Sequence, residues 1–159
     1  MLADLRQMVA ALAPRAAVLG LDVGSKTIGV AVSSGRRIIA SPLETVHRGK
    51  FAADAEHLRS SADKQGAGGL VIGLPLGMDG REGPRCQSVR QFAKDLHGLL
   101  DLPYAFWDER LSTAAIERLL VDEADMTRRR RAQVVDKMAA AYILQGALDA
   151  LAGGGGIPD

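Results

Sequence analysis

Residues 19–33 read Leu19-Gly-Leu-Asp-Val-Gly-Ser-Lys-Thr-Ile-Gly-Val-Ala-Val-Ser33, and this stretch sets a carboxylate, Asp22, in an apolar run. Strand alternation puts Val18, Gly20 and Asp22 on one face and Leu19, Leu21 and Val23 on the other. Gly24-Ser-Lys then reads as a turn, and Ile28, Val30 and Val32 continue as a second strand. An ionised carboxylate in such a place is costly unless a positive group meets it. A divalent metal, or a phosphate carrying one, is the usual answer.

Outward from this hairpin, residues 16–23, 27–33 and 37–40 are expected as three successive strands, with Gly35 supplying the second turn. Residues 2–12 read as a short helix closed by Pro14. Residues 51–64 read as a helix, with Phe51, Ala55 and Leu58 at helical spacing. The run 66–69 ends it. A short buried strand follows over 70–73 and stops before Pro75. A glycine-containing loop spans 76–84, and Pro84 suits the first turn of the next helix. That helix gathers Val89, Phe92, Ala93, Leu96 and Leu100 on one side. A fifth strand covers 104–107. Ser112 or Thr113 caps a helix through Leu120. Residues 134–151 form an almost wholly apolar, central helix.

Strands joined through helices run parallel, whereas a meander is antiparallel. The expected architecture is α/β, a mixed five-stranded sheet. It has a three-strand antiparallel meander, two parallel strands and helices on both faces. The expectation is one domain over 1–152, with 1–15 a helical extension and 153–159 a flexible tail.

The bulk numbers set limits. The chain's 159 residues suffice for one domain with a real core, and 47% of them are hydrophobic. Its net charge is +1, so nucleic-acid contacts must rest on local patches. The single cysteine, Cys86, excludes an internal disulfide and fits a reducing compartment. No apolar run reaches the ~20 residues that span a bilayer. The N-terminus has no uninterrupted apolar core of a signal peptide. The expectation is a cytoplasmic protein without a membrane role.

Three acidic positions join Asp22: Asp108 and Glu109 close the fifth strand, and Asp136 lies in the first turn of the last helix. Ala139 and Ala140 let that helix approach the sheet closely. Acids converging on one spot repel each other and call for a cation. Oxygen-only ligands favour Mg2+ or Mn2+. Such a site fits metal-assisted phosphodiester hydrolysis. Taken singly, Asp136 also suits the helix dipole, and Asp108-Glu109 also suits a solvated strand end.

At these residues the chain resembles the YqgF (RuvX-like) family of the ribonuclease H-like superfamily. The resemblance runs through LDVGSKTIGVAV at 21–32, ASPL at 40–43 and GLPLGMDG at 73–80 with Gly83-Pro84. It continues through WDERLST at 107–113, and VDKMAA at 135–140 with ILQ at 143–145. It implies a nuclease that matures the 5′ end of pre-16S rRNA. The alternatives are a Holliday junction resolvase acting on branched DNA and a non-catalytic RNA-binding assembly factor. It also implies that Asp22, Glu109 and Asp136 are catalytic and hold the metal, with Asp108 a further ligand. Related junction nucleases carry an acid at the end of the fourth strand. Here that place reads Gly73-Leu74-Pro75, so Glu109 or Asp108 must substitute. The Asp22–Thr27 pattern also resembles the first phosphate loop of actin-like sugar kinases, which need a second such domain.

Basic residues offer contacts to structured RNA. Arg128, Arg129, Arg130 and Arg131 form the densest run, ahead of the helix carrying Asp136. Lys26 lies in the turn beside Asp22, and Arg81 and Arg85 flank the glycine-rich loop. Arg110 reads either as a phosphate contact or as a partner that fixes Asp108 or Glu109. The three histidines show no metal-ligand spacing.

Overall fold

The computed structural model describes residues 1–110 and 128–153. Strand β1, Ala17–Val23, pairs antiparallel with β2, Thr27–Ser33, which pairs antiparallel with β3, Ala40–His47. On its other edge β1 pairs in parallel with β4, Ala67–Leu74, and β4 with β5, Tyr104–Asp108. The sheet order is β3-β2-β1-β4-β5, so Asp22 sits on the central strand. Helices α1 (Leu2–Ala10), α2 (Phe51–Gln65), α3 (Pro84–Leu100) and α4 (Arg128–Gly153) cover both faces. The expected meander with two parallel strands is therefore the observed sheet.

Alternation along β1 sorts the core into two layers. Leu19, Leu21 and Val23 face α2 and α3, where Leu58, Val89 and Leu96 meet them. Val18 faces the opposite side with Val71 and Ala105, under Ala140, Ile143 and Leu144 of α4 and Leu5 and Met8 of α1. Glycines on the sheet admit α4. A Cβ at Gly20 would stand 2.7 Å from the Leu144 Cβ, and one at Gly29 would stand 1.8 Å from the Asp136 carbonyl oxygen. Gln145 ties α4 to the β2–β3 connection. Its Oε1 accepts the Ala40 N–H at 2.8 Å, and its Nε2 donates to the Ile38 carbonyl at 2.9 Å.

Four expectations need correction. The third strand is Ala40–His47, not 37–40. Arg37 has φ 57° in the turn, and Ile38 and Ile39 are exposed. Pro42 is tolerated in β3 because this is an edge strand with a register shift between Val30 and Ala31. The fourth strand starts at Ala67, earlier than its glycines suggested. Gly68 and Gly69 are strand residues over which Leu12 and Met8 pack. Of the run 66–69, Gly66 alone ends α2, in the left-handed conformation with φ 66°. The last helix begins at Arg128, so Asp136 lies more than two turns in and the dipole reading of it falls. The four arginines Arg128, Arg129, Arg130 and Arg131 are its first turn, not a preceding loop. The first helix also stops at Ala10, two residues early, in a tightened turn where Leu12 N–H bonds Val9. The helix expected through Leu120 and the tail beyond Gly153 lie outside the described residues.

Candidate active site

Asp22 is the sixth residue of β1 and shares the α4 side of the sheet with Val18. Glu109 follows β5 directly, and its N–H still reaches the Leu74 carbonyl at 3.4 Å. It lies two residues beyond Trp107, which packs on the α4 side, so alternation aims Glu109 the same way. Strand β4 runs between these two acids. At its end stands Gly73, where a Cβ would come within 2.7 Å of Glu109 Oε2. The absent side chain opens the space through which Glu109 reaches across β4.

Asp22 and Glu109 share a side-chain hydrogen bond. Burial, followed by the charge of Asp136, pushes the Asp22 carboxyl up to about 6. Burial, followed by the charge of Asp22, pushes Glu109 up to about 7. The shared bond couples the two carboxyls, so they titrate as a pair rather than singly. The Arg85 guanidinium acts against both upward shifts from the first turn of α3.

Asp136 enters from α4. The Thr27 hydroxyl donates to its Oδ2 at 2.8 Å and fixes the carboxylate beside the start of β2. Gly29 permits this approach, because α4 backbone occupies the space of its missing side chain. Asp108 takes the opposite course. Burial disfavours its ionisation, but Arg110 outweighs that and holds the carboxyl below the usual carboxylate range. The Arg110 guanidinium donates to Asp108 Oδ2, with Nε at 2.7 Å and Nη2 at 2.5 Å.

The structure thus brings Asp22, Glu109 and Asp136 into one electrostatic unit, with Arg85 alongside, and pairs Asp108 with Arg110. Lys26 lies exposed in the β1–β2 turn. Arg81 lies exposed in the loop before α3, 3.6 Å from Asp79. Neither Thr27 nor Gly29 was singled out in the sequence, and Gly73 was noted there only as the place of a missing acid. Their signal was positional: a hydroxyl and two missing side chains at strand positions that face the acids. Among the described residues no three acidic, histidine or cysteine side chains already surround one point as a metal cage does. The donor chemistry still fits a hard divalent ion: burial and neighbouring charge push the partly buried carboxyls of Asp22 and Glu109 upward, and Asp136 adds repulsion at Asp22.

The sequence model of the RuvX family, described as Holliday junction resolvase, matches residues 16–150. The chain belongs to the RuvX family. One relative, from Paramagnetospirillum magneticum, is 62% identical over 90% of this chain and 92% of its own length. Another, from Rhodospirillum rubrum, is 60% identical over 93% and 92%. Both carry the name "Putative pre-16S rRNA nuclease".

The RuvX chain also superposes on T. thermophilus RuvC in complex with Holliday junction substrate. The TM-score is 0.54 and the identity 16%, over 87% of this chain and 96% of that one. The yeast mitochondrial Holliday junction resolvase gives 0.53 and 13%, over 93% and 84%. At such identities the likeness is one of fold, and it makes the RuvX sheet a ribonuclease H-like one. Among the described residues no helix is long and apolar enough to cross a membrane.

Proposed function

We propose that this RuvX chain is a metal-dependent nuclease that processes the 5′ end of pre-16S rRNA in the cytoplasm. The observation that carries the reading is the hydrogen-bonded Asp22–Glu109 pair, whose carboxyls are both pushed upward, beside Asp136. Asp22, Glu109 and Asp136 are the residues that would hold Mg2+ or Mn2+. Bound there, such ions activate water and steady the leaving oxygen of a phosphodiester. A cation held there would compete with protons for the oxygens of Asp22 and Glu109. Thr27 keeps the Asp136 carboxylate oriented. Arg85 supplies positive charge to the phosphate that approaches the acids. Arg110 acts through Asp108 and fixes the chain just beyond Glu109. The run Arg128, Arg129, Arg130 and Arg131 supplies charge for RNA contacts.

The names of the relatives support rRNA as substrate. The family description favours a second reading, resolution of branched DNA. The deciding experiment incubates the protein and Asp22→Asn with a 16S precursor bearing its 5′ leader and, separately, with four-way DNA. The expected result is Mg2+-dependent cutting of the RNA by the wild type alone. Cutting confined to the junction selects the second reading. Equal cutting of RNA by both proteins defeats the metal-carboxylate assignment.

A further inference from the structure

A cavity of about 530 Å³ opens directly beyond Asp22, on the α2–α3 side of the sheet rather than the α4 side. Val23, Gly24 and Ser25 of the β1–β2 turn line it, with Arg48 after β3 and Arg85 and Ser88 from the start of α3. A second cavity of about 540 Å³ shares Arg48 and Ser88 and continues past Gln87, Gln91 and Phe92. The two form one groove along α3, with Arg85 at one end and Phe51 and Phe92 at the other.

Arg48 is built into the junction of the two cavities. Its Nη1 donates to the Gly24 carbonyl at 2.6 Å, and its guanidinium carbon lies 5.1 Å from the centre of the Phe92 ring. Phe51 braces that ring edge-on at 5.6 Å. The guanidinium is thereby held in place without a carboxylate. Among the described residues neither Arg48 nor Arg85 is in an ion pair. Two acids near Arg48 are engaged elsewhere. Asp54 is buried and accepts the Gly49 N–H, and Asp95 accepts from Gln91 Nε2 at 2.8 Å. A preset arginine with no carboxylate in ion-pair range, Arg48, beside the hydroxyls of Ser25 and Ser88 and with Arg85 on the same wall, matches an anionic ligand that lies along a groove.

We infer that this groove holds the backbone phosphates of the RNA strand running away from the scissile bond, with Arg48 and Arg85 as its anion contacts. The strand then crosses the end of the sheet. It passes Asp22 and Glu109 and leaves between α2 and α3. Ser25 and Ser88 donate from the two walls, and the Phe92 ring holds Arg48 rigid. The inference rests on the nuclease reading and extends it to a strand path.

The test measures fluorescence anisotropy of a labelled oligouridine strand against salt, with Asp22→Asn as the parent protein to prevent cutting. Two variants are added to it, Arg48→Gln and Ser88→Glu. Ser88 is exposed, so its variant keeps the test valid if loss of Arg48 disturbs folding. The expected result is binding about three- to tenfold weaker in each variant. For Arg48→Gln the salt slope also falls by about one unit, the signature of one lost phosphate contact. A parent that binds while both variants bind equally well, with unchanged slopes, overturns the groove and leaves the nuclease reading intact. A wild-type protein that neither binds nor cuts RNA overturns the nuclease reading and the groove with it.

Discussion

Each acid in the site is governed by its nearest neighbour. Asp22 shares a hydrogen bond with Glu109, and Asp136 accepts one from the Thr27 hydroxyl. Replacing Thr27 with Val keeps the β-branched shape and removes the donor to Asp136. The expected loss is about 1 kcal/mol of stability, read by urea titration, and roughly tenfold in cleavage rate with little change in KM. Arg85 gives a prediction with a sign. Its charge favours the ionised forms of Asp22 and Glu109. In Arg85→Ala both carboxyls rise further, so the acid limb of the pH–rate profile moves to higher pH. A limb that stays in place would show that Arg85 does not act on the acid pair. Asp22 was legible from sequence because a lone acid in an apolar run breaks its pattern. The residues alone did not separate Glu109 from Asp108, because adjacent acids at a strand end differ only in which face each takes; the family resemblance named Glu109.

At the scale of elements, the site depends on how closely α4 lies on β1 and β2. Gly29→Ala places a methyl group against α4 backbone, which cannot rotate away as a side chain could. The expected cost is about 3 kcal/mol or more, seen as a lowered chemical midpoint. Gly83→Ala is the control: open space surrounds that position, and its φ of −107° suits any residue. Its expected effect lies within about 0.5 kcal/mol. Equal midpoints for the two variants would mean that α4 is not seated as described. The same elements show what sequence reading can recover. Period-2 and period-3.6 patterns located β1, β2, α2 and α3, because those elements bury one face. They failed at β3, where Ile38 and Ile39 imitate a strand while Pro42 hides one on the sheet edge. They failed again at the start of α4, since the polar residues before Val134 carry no apolar period. The helical glycine rule also misread β4, whose Gly68 and Gly69 serve packing against α1 rather than termination.

For the whole molecule, the acid pair links folding to pH and to divalent ions. In the unfolded chain Asp22 and Glu109 ionise near their ordinary values of 3.8 and 4.5, whereas in the fold they hold protons up to about 6 and about 7. Between those limits the folded state binds more protons than the unfolded one, so stability falls as pH rises. Below about pH 4 the contribution is complete, and above about pH 7 it is gone. Asp22 alone accounts for about 2–3 kcal/mol across its window, or several degrees in melting temperature for a chain of this size. Groups such as Asp108, shifted downward, act at lower pH and leave the window clear. Melting curves of metal-free protein should therefore show a midpoint that drops between pH 4 and pH 7, and a smaller drop in Asp22→Asn. A cation reverses the loss where the proton has left. Mg2+ should raise the midpoint at pH 8, following the ratio of its concentration to its dissociation constant, and do little at pH 5. If Mg2+ stabilises Asp22→Asn as strongly as the wild type at pH 8, the ion binds elsewhere. The carboxylates would then have to work by acid–base chemistry alone.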